Sequence, residues 1–219
     1  MKVFVLNGWA ASERAWDLCA FRRDAIFSYR DHLDGATEAA FDAADSALLV
    51  GWSMGGSYAL KLALRNPGKV RGLVLVAATP RMMRDPATGW AGMSERRLAA
   101  LEIGLRLTMG GGFFGTPEGK PNPYMSDGEE NLSRGIAYLL ETDLRRDLES
   151  ARAAMAAIPA AIFQSERDAI VRSENAAYLA SVFPLATVRM VPGTEHALSI
   201  FIPGEIDAAV DALVKAAAS

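Results

Sequence analysis

One five-residue segment of this chain restricts its possible folds more than any other. Gly51-Trp52-Ser53-Met54-Gly55 follows the apolar run Ala47–Val50 and leads into Met54–Asn66, whose pattern predicts a helix. A serine with glycines two residues before and after it, between a strand and a helix, forms a sharp turn that exposes the hydroxyl. Side chains at positions 51 and 55 would collide with neighbouring backbone in such a turn. The segment therefore predicts a nucleophilic serine, Ser53, at the end of a β-strand.

A serine needs a base to take its proton, and the chain contains only two histidines, His32 and His196. His196 lies in a loop just after the strand-like segment Ala186–Val191, where hydrolases of the α/β class carry their base. His32 lies in the polar segment Tyr29–Asp34, which predicts a surface loop. We therefore assign the base to His196 and expect His32 to be exposed and solvated.

The third catalytic residue must be a carboxylate that orients the imidazole and stabilises its charged form. A short apolar strand, Ala160–Gln164, precedes His196, and Asp168 stands four residues beyond this strand. Glu166 is the alternative, because it lies closer to the end of the strand. The chain order Ser53, Asp168, His196 is that of the α/β-hydrolase class and differs from the orders in chymotrypsin and subtilisin.

The loop Asn7-Gly8-Trp9 follows the first predicted strand, Lys2–Leu6. In α/β-hydrolases the loop at this position contributes one backbone amide to the oxyanion hole, and the residue after the nucleophile contributes the other. By position these amides belong to Trp9 and Met54, and the helix that begins at Met54 directs its positive end toward the same site. Gly8 lets the backbone approach the substrate oxygen, so Gly8 and Trp9 are the predicted substrate contacts. The Trp9 indole can pack in the core at the same time.

Length and composition are those of one enzyme domain. The 219 residues, 51% of them hydrophobic, suffice for a sizeable core and exclude a disordered chain. The net charge of −3 gives no excess of positive charge that would favour binding to nucleic acid or to an anionic membrane. Cys19 is the only cysteine, which excludes an intramolecular disulfide and a thiolate metal site. Because no apolar run has the length of a signal-peptide core or a membrane span, we expect a cytoplasmic monomer without metal or cofactor.

Short apolar runs typical of β-strands alternate with helical segments along most of the chain. The predicted strands are Lys2–Leu6, Ala25–Ser28, Ala47–Gly51, Gly72–Ala77, Ala160–Gln164 and Ala186–Val191. The predicted helices between them are Ala36–Ala44, Met54–Asn66, Glu174–Phe183 and Pro203–Ala217. This alternation predicts right-handed crossovers and a mainly parallel sheet, buried on both faces. The expected fold class is an α/β-hydrolase fold with a reduced sheet of about six strands and no N-terminal hairpin.

Residues 79–157, called the insertion below, interrupt this alternation. Their pattern predicts helices at Glu95–Met109 and Gly128–Met155, joined by a loop rich in glycine and proline. The spacing of the glycines and lysine in this loop does not fit a P-loop, so we interpret it as a hinge or flexible connection. We expect the insertion to form a helical cap over an α/β-hydrolase core made of residues 1–78 and 158–219.

Several segments together resemble one enzyme family. They are Asn7-Gly8-Trp9, Ala15-Trp16-Asp17, Gly51–Gly56, Val76–Pro80 and Gly135–Leu148. They resemble the pimeloyl-[acyl-carrier protein] methyl ester esterases of biotin synthesis, the BioH-like carboxylesterases. The resemblance implies a catalytic triad of Ser53, Asp168 and His196. Three features depart from the family pattern: Asn7 replaces a histidine, the N-terminal hairpin is missing, and the middle of the insertion does not match.

The sequence thus predicts a serine carboxylesterase that hydrolyses an acyl ester. The resemblance implies the methyl ester of pimeloyl-acyl-carrier protein as the most specific substrate, and a broad esterase or thioesterase for small acyl esters is the alternative. A third hypothesis, from another class, is an α/β-hydrolase fold retained as a non-catalytic binding module.

The resemblance also implies that arginines of the cap contact an acyl-carrier protein. The candidates are Arg81, Arg84, Arg96, Arg97, Arg106, Arg134, Arg145, Arg146 and Arg152. The insertion holds at least as many carboxylates, so an ordinary solvated surface of mixed charge is the alternative explanation for these residues.

Overall fold

The structure, a computed structural model, describes residues 1–108, 118–125, 127–193 and 195–218. Its described strands are β1 (Lys2–Leu6), β2 (Ala25–Phe27), β3 (Ala47–Trp52), β4 (Val70–Val76), β5 (Ala160–Ser165) and β6 (Thr187–Val191). They form one sheet in the order β2-β1-β3-β4-β5-β6, and every neighbouring pair is parallel. The predicted α/β fold with a mainly parallel sheet of about six strands is confirmed.

The helices that follow or separate these strands lie close to their predicted positions in the core. They are α1 (Tyr29–Leu33), α2 (Ala36–Ala43), α3 (Met54–Arg65), α4 (Glu95–Thr108), α5 (Glu129–Glu141), α6 (Arg145–Ser150), α7 (Arg152–Met155), α8 (Glu174–Val182), α9 (Leu198–Phe201) and α10 (Pro203–Ala216). Within the described residues, none of these helices is long and apolar enough to cross a membrane.

Both faces of the sheet are buried, which explains why its central strands are continuously apolar. Leu73 and Leu75 of β4 belong to the core on the side of α3 and α8. Val74 and Val76 of the same strand belong to the core on the side of α9 and α10. Because successive side chains of a strand point to opposite faces, β4 needs apolar residues at every position to fill both cores.

The insertion differs from its prediction at one point. The single predicted helix Gly128–Met155 is wrong, because α5 ends at Glu141 and α6 begins at Arg145. At the break, Asp143 pairs with the backbone of Arg81 and forms an ion pair with its side chain. The Asp143 carboxylate also accepts a hydrogen bond from the backbone N–H of Arg145, 3.2 Å away. These contacts stabilise a non-helical turn that ties the end of α5 to the chain leaving β4.

The predicted hinge loop lies mainly on residues 109–117, which are outside the described residues. The segment that follows, residues 118–125, returns to the core next to the loop after β1. The backbone N–H of Ser12 donates to the Pro123 carbonyl (2.8 Å), and that of Met125 donates to the Ala10 carbonyl (2.9 Å). This part of the insertion is therefore held beside the loop that contains Gly8 and Trp9.

The glycine at position 55 provides a test of the tight turn after β3. A Cβ atom at Gly55 would lie 2.0 Å from the carbonyl oxygen of Leu6 and 2.7 Å from that of Asn7. Because both are backbone atoms, no side-chain rotation relieves the overlap. We expect Gly55→Ala to lower the free energy of unfolding by about 3 kcal/mol or more, measured by urea denaturation.

Gly204→Ala is the matched control for this substitution. Gly204 lies in the first turn of α10, and a Cβ atom there would meet nothing within 4 Å. Alanine is the better helix former, so this variant should be as stable as the wild type or slightly more stable. Equal stability of the two variants would contradict the close approach of α3 to β1.

Candidate active site

Ser53 occupies a strained backbone position between β3 and α3. Its φ of 56° and ψ of −120° lie in a region that residues with a side chain seldom adopt. Its N–H donates to the Val76 carbonyl of the neighbouring strand (3.0 Å), which holds the turn against the sheet. A Cβ at Gly51 would lie 2.6 Å from the Gly55 carbonyl oxygen. The flanking glycines are therefore a steric requirement of this turn.

His196 and Asp168 form a buried hydrogen-bonded pair. The Nδ1 of His196 lies 2.8 Å from Oδ2 of Asp168, and the two residues are only 9% and 3% exposed. An ionised carboxylate accepts hydrogen bonds and cannot donate them, so Nδ1 carries the proton. The other ring nitrogen, Nε2, is then unprotonated and free to act as a base.

The Asp168 carboxylate is fixed by further donors. Its Oδ1 accepts the backbone N–H groups of Ile170 (2.7 Å) and Val171 (3.1 Å). Its Oδ2 also receives the side-chain amide of Gln164 at 3.4 Å. Glu166, the alternative acid, is exposed on the surface. The structure thus brings Asp168, and not Glu166, to His196.

The loop that carries His196 is anchored by two side chains, one from β3 and one from β5. The indole N–H of Trp52 donates to the backbone carbonyl of His196 (2.9 Å), and the two rings lie 5.6 Å apart. The hydroxyl of Ser165 donates to the backbone carbonyl of Glu195. These bonds fix the imidazole at the carboxyl end of the sheet, on the same side as Ser53.

The loop after β1 lies directly against Ser53. A Cβ at Gly8 would be 3.1 Å from Ser53 Cβ and 3.2 Å from the Trp52 carbonyl oxygen, so glycine allows the closest approach. Met54 is the first residue of α3. Within the described part of the chain, the backbone amides of Trp9 and Met54 have no hydrogen-bond partner. Both amides are therefore available to a bound group.

The indole of Trp9 packs against the insertion. Its N–H donates to the carbonyl of Leu132 in α5 (3.1 Å). A Cβ at Gly135, one turn further along α5, would lie 2.3 Å from the indole Cδ1. Glycine at position 135 lets α5 pack directly on the indole. Trp9 therefore presents its backbone amide to the site while its ring packs against the insertion.

Ser53 and His196 border the same pocket. Gly8, Trp9, Trp52 and Tyr124 also border it. The rest of the lining is aliphatic or thioether: Met82, Met93, Leu98, Leu101, Leu105, Leu139 and Ile170. All of these except Ile170 belong to the insertion. Apart from His196, no described lining residue is ionisable near neutral pH, so the pocket suits an uncharged, apolar chain.

The expectation for His32 is wrong. The segment Tyr29–Leu33 is helix α1, with a capping box formed by Ser28 and Asp31, and His32 is only 2% exposed. Its ring stacks on Tyr58 at 4.6 Å, and both ring nitrogens have hydrogen-bond partners. Burial lowers the pKa of His32 to about 4, so the ring is neutral at neutral pH.

The sequence analysis did not identify several residues of the site, among them Gln164, Trp52 and Tyr124. Gln164 holds Asp168, Trp52 anchors the His196 loop, and Tyr124 closes the pocket with its ring centroid 5.8 Å from that of Trp52. Burial and the negative charge of Asp168 both raise the pKa of Tyr124, which keeps its hydroxyl protonated. Trp52 lies inside the serine motif and Gln164 lies at the end of a predicted strand, so local sequence features could have pointed to both. No such feature marks Tyr124.

These features agree with a match between the chain and a known family. Residues 12–203 match the family described as alpha/beta hydrolase fold. The chain belongs to this family.

Its sequence is similar to enzymes named pimeloyl-[acyl-carrier protein] methyl ester esterase. The one from Nitrosospira multiformis is 28% identical, over 88% of this chain and 86% of the relative. The one from Xanthomonas oryzae pv. oryzae is 30% identical, over 79% of this chain and 71% of the relative. Among solved structures, olei00960, a hydrolase from Oleispira antarctica, has a TM-score of 0.70 at 15% identity, over 98% of this chain and 90% of that chain. The structural likeness concerns the fold alone.

Proposed function

We propose that this protein is a serine carboxylesterase with Ser53 as nucleophile, His196 as general base and Asp168 as the residue that orients it. One observation carries the proposal: the buried 2.8 Å pair of His196 and Asp168 shares a pocket with a serine held in a strained turn. The pair fixes the imidazole with its unprotonated nitrogen available, which is what a serine needs for activation.

In the proposed reaction, Nε2 of His196 takes the hydroxyl proton as Ser53 Oγ attacks the ester carbonyl. The resulting negative oxygen is stabilised by the backbone amides of Trp9 and Met54, which have no other partner within the described residues. His196 then gives its proton to the departing alcohol, and an acyl-serine remains. Water, activated by the same histidine, attacks this ester and releases the carboxylic acid.

The pocket lining supports an apolar acyl chain, and the names of the relatives support a specific one. The most specific substrate we propose is the methyl ester of pimeloyl-acyl-carrier protein, in biotin synthesis, and we place the activity in the cytoplasm. A broad esterase for small apolar esters is the second candidate. It is favoured by the absence of Asp, Glu, Lys and Arg side chains among the described residues that border the pocket.

An ester panel distinguishes these candidates. Methyl esters of short and medium acids, free or attached to acyl-carrier protein, are compared by kcat/KM. A preference for the carrier-linked pimeloyl ester over its free counterpart supports the biotin proposal. Equal values support the broad esterase, and no hydrolysis of any ester leaves the binding-module hypothesis.

The arginines of the insertion fall into two groups. Five have a carboxylate partner within 4 Å: Arg81 with Asp143, Arg106 with Glu102, Arg134 with Asp34, Arg145 with Asp85, and Arg152 with Glu149. Arg84, Arg96, Arg97 and Arg146 are exposed and form no ion pair with the residues that the structure describes. These four are therefore the best candidates for contact with an acidic partner.

Two of these arginines lie next to the pocket. Arg84 and Arg97 border a surface groove together with Met93 and Ile170, which also line the catalytic pocket. An acyl-carrier protein bound at Arg84 and Arg97 would therefore hold its acyl chain near the pocket. We propose this groove as the carrier contact.

We expect the double variant Arg84→Glu/Arg97→Glu to raise the KM for the carrier-linked ester about tenfold or more, because like charges then face each other. Added salt should reduce the effect, since the Debye length is about 8 Å at physiological ionic strength. The kcat/KM for a small free ester should hardly change.

Arg71→Glu is the matched control for this variant. Arg71 is also exposed and lies near the start of β4, whereas the catalytic residues follow the carboxyl ends of the strands. It should leave both substrates unaffected. A double variant that impairs the free ester equally would contradict the carrier contact without affecting the esterase proposal.

A further inference from the structure

His32 takes no part in the proposed chemistry, yet both of its ring nitrogens are engaged. Its Nε2 lies 3.1 Å from the backbone carbonyl oxygen of Asn7, and its Nδ1 lies 2.8 Å from the hydroxyl of Thr37. A carbonyl oxygen can only accept, so Nε2 carries the proton and donates it to Asn7. Nδ1 then accepts from Thr37. The neutral ring thus has one defined tautomer.

Asn7, whose carbonyl accepts the hydrogen bond from His32, is the first residue of the loop beside Ser53. The N–H of Asn7 donates to the Phe27 carbonyl (2.9 Å), and its Oδ1 accepts the indole N–H of Trp16 (2.6 Å). Together with the hydrogen bond that its carbonyl accepts from His32, Asn7 makes three hydrogen bonds that fix its position. Gly8 and Trp9 follow directly, so the orientation of the Asn7 carbonyl sets the path of the backbone toward the Trp9 amide.

His32 is itself fixed to the helix that follows the serine. Its ring stacks on Tyr58 of α3 with an angle of 17° between the planes, and the Tyr58 hydroxyl donates to the His32 carbonyl at 2.6 Å. α3 begins at Met54, the second proposed oxyanion donor. His32 therefore connects the two segments whose amides must meet at one oxygen atom.

We infer that His32 is a positioning residue for the oxyanion hole: its Nε2–H holds the Asn7 carbonyl and thereby sets the Trp9 amide relative to Ser53 and Met54. The inference rests on the proposed function, because it takes the Trp9 amide as an oxyanion donor. It assigns a role to a buried histidine outside the triad, in a helix that has no other part in the reaction.

Two substitutions of His32 separate positioning from packing. His32→Gln is uncharged and keeps an N–H donor that can reach Asn7, whereas His32→Leu fills similar space without a donor. For the leucine variant we expect a loss of about 10- to 100-fold in kcat with KM changed less than about twofold, since a displaced oxyanion donor acts on the transition state. Affinity for a trifluoromethyl ketone analogue should fall by a similar factor. The glutamine variant should retain most of the wild-type kcat and most of the wild-type affinity for the ketone analogue.

Phe41→Leu controls for lost stability alone. Phe41 is fully buried in α2, next to the helix of His32, and belongs to the core rather than to the site. It should lower the melting temperature and leave kcat, assayed well below that temperature, unchanged. If His32→Leu behaves like Phe41→Leu, His32 is a packing residue and the inference is wrong.

A measurement that needs no substrate tests the positioning role of His32 independently of the esterase proposal. Hydrogen exchange of the Asn7 and Ala11 amides, which donate to the carbonyls of Phe27 (2.9 Å) and Gly8 (3.2 Å), should be faster in His32→Leu than in the wild type, and close to wild type in His32→Gln. Unchanged exchange in the leucine variant would overturn the inference even in an active esterase. Faster exchange in a protein that hydrolyses no ester would support the positioning of the loop and reject the esterase proposal.

The acid sensitivity of the fold gives a second check. Burial lowers the pKa of His32 to about 4 in the folded protein, against about 6.5 for an ordinary histidine, despite the opposing charges of Asp31 on α1 and Glu38 on α2. Lys61 on α3 acts in the same direction as burial. Between these pH values the unfolded chain binds a proton that the folded one does not, so stability is lost as pH falls from about 6.5 to about 4.

We therefore expect the melting temperature of the wild type to fall more between pH 7 and pH 4.5 than that of His32→Gln, which has no titrating group at this position. Equal falls would show that His32 does not remain neutral and buried in solution, and would contradict its packed position against Asn7 and Tyr58.

Discussion

Ser53→Ala is expected to lower kcat/KM for a small acyl ester by about 10⁴- to 10⁶-fold, because Ser53 carries the only aliphatic hydroxyl or thiol among the described residues that border the pocket. The oxyanion donors and the pocket remain, so the variant should still bind substrate. Labelling by a fluorophosphonate probe should disappear completely. The alanine side chain is smaller than serine and occupies the same turn, so the melting temperature should stay within a few degrees of the wild type.

Ser57→Ala is the control, from helix α3, which directly follows Ser53. Ser57 is also buried, and its hydroxyl donates to the carbonyl of Thr79 at 2.6 Å. Its removal should cost about 1–3 kcal/mol of stability, because a buried carbonyl loses its partner. Labelling and turnover at low temperature should persist. Turnover by Ser53→Ala near the wild-type rate would remove the nucleophile from the proposal, and with it the acyl-serine mechanism.

Asp168→Asn is expected to lower kcat by about 10⁴-fold with little change in fold. In the wild type, the Asp168 carboxylate accepts a hydrogen bond of 2.8 Å from the Nδ1–H of His196, so Nε2 is left as the base. An asparagine side chain at this position can present its NH₂ group to Nδ1, which favours the imidazole tautomer that is protonated at Nε2. That tautomer cannot take a proton from Ser53. Steady-state kinetics with the same ester measures the loss.

Glu166→Gln is the matched control, because it makes the same chemical change two residues away on the same loop. Glu166 is exposed, and its backbone N–H donates a hydrogen bond of 2.9 Å to the Val191 carbonyl, whereas its side chain has no partner among the described residues. Its variant should keep kcat within about twofold of the wild type. The reverse result, with Glu166→Gln inactive and Asp168→Asn active, would assign the orienting role to Glu166.

Local features were sufficient to predict the sheet. Its central strands are apolar at every position because both faces are buried, and this pattern stands out in the sequence at β3 and β4. The turn after β3 was predictable as well, since Gly51 and Gly55 are required by contacts with backbone that every such turn makes. Chain order then predicted Asp168 and His196 as candidates, and their catalytic roles remain predictions that the substitutions above test.

The interruption of the helix between α5 and α6 was not predictable from local pattern. Residues 128–155 have continuous helical composition, and the break depends on an ion pair between Asp143 and Arg81, which are 62 residues apart in sequence. Helix propensity is a weak preference that a few tertiary contacts can override.

The burial of His32 and the shape of the pocket were decided by the tertiary structure alone. The polar neighbours of His32 predict an exposed loop, but partners 5 and 25 residues away, Thr37 and Asn7, satisfy both ring nitrogens and so reduce the cost of removing the ring from water. The pocket is likewise built largely by the insertion, whose lining side chains come from separate segments between Met82 and Leu139. The sequence by itself therefore determined the sheet, the turn and the candidate catalytic residues, because these follow from local sterics and chain order. What surrounds the site depends on contacts between distant segments, which only the folded chain brings together.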